Sequence, residues 1–269
     1  MAEKGDLAFA PLTSSIVKGL NDKLYDKRKA ATLDIEKMVK QFVINDDKAK
    51  IVAMTGVLRK EFVFSTNANS RKGGLIGLAA AVIALGPEYL LQNFREFLPE
   101  FVPPILQCFT DTDSRVRYYA CEALYNISKV ARGHILLFFN RIFDSLSKLA
   151  CDPDAGVKSG AELLDRLIKD IVTENPVFDI PKFIDLLKER IYTVNPYTRQ
   201  FMVSWLTVLN SVPDIELLGY LPDFLNGLFK MLGDPSPEMR GHCEVYFYIY
   251  FSLFIIKFPN FQLLLLGKK

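Results

Sequence analysis

Histidine is nearly absent from this chain. Its 269 residues include two, His134 and His242, far apart and without acidic or thiol partners at metal-ligand spacing, which excludes a histidine-rich zinc site and a His-based nucleophile triad. Cysteine is scarce too. Cys108, Cys121, Cys151 and Cys243 show no CxxC spacing; three fall at helical positions and Cys151 at the start of a turn. The opening Met1-Ala2-Glu3-Lys4-Gly5-Asp6 is charged where a secretory signal needs an apolar core. Together these predict a reduced, cytosolic compartment without structural disulfides. Excess charge of one sign is also missing: a net charge of +2 excludes the strongly basic surface of a general nucleic-acid binder. GxSxG, HExxH and GxxxxGK[ST] do not occur, and no GxGxxG follows a strand pattern. The carboxylates fall on solvated helix faces and turns. The chain therefore reads as a non-enzyme with no catalytic residue, no metal and no cofactor.

What the chain does have is a repeat. The pair Asp111/Arg117, six residues apart, returns as Asp152/Lys158, Thr193/Arg199 and Asp234/Arg240, so successive copies lie 41 residues apart. A charged turn between two apolar segments, at an interval in the forties, fits two-helix HEAT-type repeats. From residue 98 the register can be counted. Pro99, Asn140, Pro181 and Pro222 share one position, assigned to the first turn of a helix. Phe101, Ile142, Phe183 and Phe224, then Ile105, Leu146, Leu187 and Leu228, form the inward stripe of a first helix. Val116, Val157, Thr198 and Met239, then Ala120, Ala161, Met202 and Cys243, then Ala123, Leu164, Trp205 and Tyr246, form that of a second. Neither helix could hide its apolar face alone, so the units must stack. The predicted fold is all-α: a HEAT-repeat α-solenoid of about six two-helix repeats with an atypical hydrophobic C-terminal end.

Upstream the register is looser. A first unit starts at Pro11 and carries Asp22 and Arg28 at the same six-residue offset. A second takes residues around 47 to 86, and its Gly73-to-Leu85 segment is almost entirely apolar, which predicts burial on several sides. The glycines there imply close helix-to-helix approach, and Gly86-Pro87 ends the segment. The expected organisation is a flexible tail over 1–10, a HEAT-repeat array over 11–244 and an atypical hydrophobic tail over 245–269.

Two groups of residues suggest function. Arg71 and Lys72, next to Gly73 and Gly74, put cations at a predicted helix N-terminus, chemistry suited to a phosphate or a partner carboxylate. Arg115, Tyr118 and Tyr119 combine a cation with aromatics on the first turn of a helix, a composition favoured at interface hot spots. The recurring residues Asp111, Arg117, Asp152, Lys158, Arg199, Asp234 and Arg240 are instead assigned to a structural ladder. In it the aspartate caps a helix start and the basic side chain reaches a neighbouring carboxylate.

The segments Leu20 to Ala30, Ser70 to Ala80, Asp113 to Asn126 and Arg199-Gln200-Phe201 resemble the N-terminal part of the vacuole-morphology scaffold family called the associated regulator of PIKfyve. The resemblance covers roughly residues 9 to 244. It implies a non-catalytic scaffold that assembles a PIKfyve-type phosphoinositide 5-kinase with a Sac-domain phosphatase. That complex controls phosphatidylinositol 3,5-bisphosphate from a cytoplasmic, peripheral position on endosomal or vacuolar membranes. The kinase is associated with the family's N-terminal repeats, and the phosphatase and self-assembly with its C-terminal part. Here that part is missing, so a truncated form without secure self-association is expected. The alternative is a generic HEAT-repeat adaptor for trafficking or nuclear-transport partners.

From about Val245 the sequence departs from the family. Val245, Tyr248, Ile249 and Phe251 fall where the earlier unit has Glu122, Tyr125, Asn126 and Ser128. About 12 apolar residues then precede Lys257 and Pro259, short of the roughly 20 a spanning helix needs. A non-native terminus is the expectation, with an interfacial end and a membrane span as alternatives.

Overall fold

The computed structural model describes residues 8–175, 178–212, 215 and 217–257, with backbone alone at 218, 249–250 and 252–257. Twelve α-helices and no strand occur among the described residues, and they pair into six repeats. Repeat 1 is α1 (Ser14–Leu20) and α2 (Tyr25–Ile44), and repeat 2 is α3 (Lys48–Val57) and α4 (Ala68–Gln92). Repeat 3 is α5 (Phe94–Gln107) and α6 (Ser114–Ala131), and repeat 4 is α7 (Phe139–Leu149) and α8 (Ala155–Glu174). Repeat 5 is α9 (Ile180–Arg190) and α10 (Pro196–Asn210), and repeat 6 is α11 (Leu221–Leu232) and α12 (Pro237–Lys257). The chain divides into two compact units, Met1–Ile171 and Val172–Lys269.

Within each unit the counted stripes form the core. Phe101, Ile142, Phe183 and Phe224 are fully buried, as are Val116, Val157, Leu164 and Met202. Trp205, also fully buried, sits between Phe183 and Phe201, with ring centroids 6.3 and 6.4 Å away. The assignment of the shared proline position to a first turn holds for Pro181 and Pro222. It fails for Pro99, because α5 starts at Phe94 and carries Pro99, Pro103 and Pro104 inside. The amides of Glu96 and Phe97 already bond to the Asn93 carbonyl, so this first helix begins earlier than its sisters.

Helix α4 is the longest among the described residues. Gly86, at φ 73°, interrupts it with a kink just before Pro87, so the predicted stop is a bend after which helix resumes. A backbone with positive φ is accessible to glycine without steric cost. The helix is long and apolar enough to cross a membrane, with mean hydropathy 1.8 over its most apolar window, yet 61% of that window is buried inside the protein. It is a core helix. Its N-terminal half meets α1 and the π-helical turn Leu58–Val63 that extends α3. There a Cβ on Gly73 would lie 2.1 Å from the Leu20 carbonyl oxygen, and one on Gly74 would lie 2.7 Å from the Val63 nitrogen. Both contacts are impossible, so glycine is required for the approach.

Helix α12 runs through Val245 without a break. Val245, Tyr248 and Phe251 face outward at 56%, 76% and 52% exposure, whereas Tyr246 is fully buried. The side chain of Ile249 and the hydrophobic end beyond Lys257 lie outside the described residues.

Candidate functional site

The charged turns define the geometry on which the candidate site rests. In every repeat the fourth residue of the second helix is basic: Arg28, Arg71, Arg117, Lys158, Arg199 and Arg240. Arg117 donates in two directions. Its Nε and Nη2 bond to the two carboxylate oxygens of Asp152 at 2.7 and 2.8 Å, while Nη1 donates to the Asp111 carbonyl at 2.7 Å. One guanidinium thus closes its own turn and clasps the carboxylate of the next repeat. Arg199 does the same with the Thr193 carbonyl at 2.6 Å and with Asp234. Arg240 closes its turn on the carbonyls of Asp234 and Pro235 at 2.6 and 3.0 Å.

The aspartate's role differs from that predicted. Asp111, Asp152 and Asp234 do not cap the helix; each accepts from the amide two residues on, at 2.9, 2.9 and 2.8 Å, making a local turn. Capping falls to residues such as Asp113, which accepts from the Arg115 and Val116 amides, and Asn195, which accepts from Tyr197 and Thr198. Two residues separate the jobs because a carboxylate aimed at the previous repeat's arginine cannot also cover its own helix end. Hydrogen bonding to the Ser236 amide, followed by the Arg199 guanidinium, holds the Asp234 carboxyl below the ordinary carboxylate value. For Arg117 the Asp152 carboxylate raises the guanidinium further.

Arg71 belongs to this ladder, contrary to the anion-site expectation. Its Nε and Nη2 take both oxygens of Asp111 at 2.6 and 2.9 Å, and Nη1 takes the carbonyls of Ser65 and Thr66 at 3.0 and 2.9 Å. Bidentate pairing of this kind is strong and directional, and it leaves Arg71 committed. The flanking glycines are committed to packing. Lys72, half-buried, is the remaining cation of that segment. The copy escaped sequence counting because Ser65 stands six residues before Arg71 where the sisters have Asp or Thr, and because the interval from Arg71 to Arg117 is 46 residues rather than 41. The signal that finds it is position four of the second helix.

The second group of expected residues is divided. Arg115 is exposed, with its guanidinium 5.7 Å from the Tyr118 ring centroid. Tyr118 is half-buried and lies edge-on to Tyr119 at 5.7 Å. Tyr119 is in the core at 8% exposure. It stacks on Tyr25 of α2 at 6.2 Å and takes the Arg28 guanidinium at 5.7 Å. Arg28 has no carboxylate across the repeat boundary; it donates to the carbonyls of Asp22 and Lys23 at 2.8 and 3.0 Å and is otherwise enclosed, at 3% exposure. The result is one aromatic strip, Tyr25, Tyr119 and Tyr118, ending in the exposed Arg115. Tyr25 was not legible as a member. Nothing in its register marks it, and its contact with Tyr119 joins the first repeat to the third.

Among the described residues no group of three or more His, Cys, Asp or Glu side chains could hold a metal ion. Burial pushes the thiols of Cys108 and Cys121 up to about 12 and that of Cys243 up to about 11, the opposite of an activated nucleophile.

The architecture and the arginine–aspartate ladder place the chain among the all-α HEAT-type repeat proteins. The particular relationship comes from sequence. A family model described as the Vacuolar 14 Fab1-binding region matches residues 69–170, which run from the first turn of α4 into α8. The chain is 55% identical over 237 residues to the Protein VAC14 homolog of Arabidopsis thaliana, covering 88% of this chain and 31% of that protein. It is 43% identical over 268 residues to Vacuole morphology and inheritance protein 14 of Saccharomyces cerevisiae, covering 85% of this chain and 30% of that one. The chain is thus similar to VAC14 proteins over most of its own length and spans about three tenths of theirs. A designed armadillo repeat protein superposes with a TM-score of 0.46 at 13% identity, covering 87% of this chain and 98% of that one.

Proposed function

We propose that the chain is a non-catalytic scaffold that binds a Fab1/PIKfyve-type phosphoinositide 5-kinase through residues 69–170. The match of that segment to the Fab1-binding region carries the reading, and the 43–55% identity to VAC14 proteins supports it. The physical basis is positioning. The bidentate pairs Arg71–Asp111 and Arg117–Asp152 lock repeats 2, 3 and 4 to one another, and on that support exposed groups such as Arg115 and half-buried ones such as Tyr118 and Lys72 are held ready for a partner. The side chains that sequence made conspicuous are mostly spent on architecture.

Within the complex the chain would act from the cytoplasmic side of endosomal or vacuolar membranes, attached peripherally through its partners. A Sac-domain phosphatase would join through parts of the assembly outside this span. The decisive test is co-precipitation of the purified chain with the kinase. Retention by the wild type, reduced by the double substitution Arg115→Glu and Tyr118→Ala, is the expected result; no retention by the wild type would sink the proposal.

A further inference from the structure

The second helices α2, α4 and α6 lie side by side, and between them opens a cavity of about 130 Å³. Its floor is Ala79, Ala80 and Ile83 of α4, low because alanine fills little space, and Tyr25 stands beside it. Ile83 and Tyr25 are 45% and 42% exposed, so apolar surface is open to water where the start of the matched segment, in α4, meets α2. Two carboxylates face the same cavity. Glu36 of α2 and Glu122 of α6 line it, both half-buried, and neither takes part in an ion pair or side-chain hydrogen bond among the described residues. Burial pushes the Glu122 carboxyl above its ordinary value with no opposing cation. Lys29, exposed, is the single basic residue in the lining, so the negative charge is in excess.

Glu122 is not part of the repeat. The positions 41, 82 and 123 residues further on hold Leu163, Ser204 and Val245, so no architectural need places an acid there. A carboxylate that is partly desolvated and unpaired destabilises the free protein and becomes favourable only when a donor arrives. An open apolar floor next to it asks for the same event. We propose that this groove between α2, α4 and α6 receives a segment of the partner protein that sets an apolar side chain on Ala79, Ala80 and Ile83 and a lysine or arginine on Glu122. The inference rests on the kinase-binding reading and narrows it to one surface and one chemical pattern.

Two measurements test it with the full chain. In co-precipitation, Glu122→Gln and Ile83→Ser should each lower kinase retention about ten-fold, the scale of a lost interface contact, with the melting temperature unchanged. In fluorescence polarisation, labelled synthetic peptides tiling the kinase should include one that binds through an apolar residue and a nearby basic one. Replacing that basic residue with Gln should weaken binding to the wild type and have no further effect on Glu122→Gln, the non-additivity expected of a direct contact. Full retention by both variants, or additive losses in the cycle, would overturn the groove and leave kinase binding intact. A wild-type chain that retains no kinase would overturn both.

Discussion

At the scale of the residue, Arg117 explains why the charges of the repeat are retained. With side-chain exposures of 13% for Arg117 and 6% for Asp152, removing the guanidinium strands a carboxylate away from water and also frees the Asp111 carbonyl. Arg117→Leu should cost about 2 to 3 kcal/mol in chemical denaturation. Lys27→Ala, whose ammonium pairs with Asp22 at 63% exposure, should produce no resolvable change, because solvent screens such pairs. A comparable loss in both would mean that the ladder contributes nothing beyond surface charge. Acid should act on the same carboxylates. Asp234 binds its proton more weakly in the folded protein than in the unfolded chain, so its stabilisation is present above an unfolded value near 3.8 and is lost as pH falls through the lower folded value. Denaturation midpoints of wild type and Asp234→Asn should therefore converge in acid and separate toward neutrality; a constant gap would exclude this linkage.

At the scale of the element, α4 shows how packing overrides propensity. Alanine is the better helix former, by about 1 kcal/mol over glycine. Yet Gly73→Ala would drive a methyl to 2.1 Å from the Leu20 carbonyl and should destabilise by about 2 kcal/mol or more, as forced overpacking does. Gly56, in α3, meets nothing within 4 Å, and Gly56→Ala should stabilise by about 0.5 to 1 kcal/mol. Thermal melts that move in the same direction for both would contradict the close approach of α1 and α4. The apolar run and its glycines announced a buried helix from sequence. The bend at Gly86 and the early start of α5 were not announced, because both depend on how the chain turns between helices rather than on the periodicity within them.

For the molecule as a whole, the two compact units each carry buried thiols, Cys108 and Cys121 in the first and Cys243 in the second, while Cys151 is exposed. Native protein should therefore react with one equivalent of a thiol reagent at neutral pH and with four after denaturation. Rapid modification of more than one cysteine in native conditions would show that a unit opens readily. Because buried thiols lie in both units, they would also report which unit opens first.

Sequence alone determined the repeat, the two apolar stripes and the all-α class. Periodicity and composition are local properties, and a spacing of 41 residues can be counted without coordinates. Tertiary structure decided which charges were free. Arg71 and Arg115 look alike in sequence, but one is clasped by Asp111 from the next repeat and the other projects into solvent. Tyr118 and Tyr119 are neighbours in the chain, yet only Tyr119 is drawn into the core against Tyr25. The groove with Glu122 on its wall exists because three helices far apart in sequence are brought side by side, with alanines between taller side chains. Such surfaces depend on distances across repeats, which the sequence does not state.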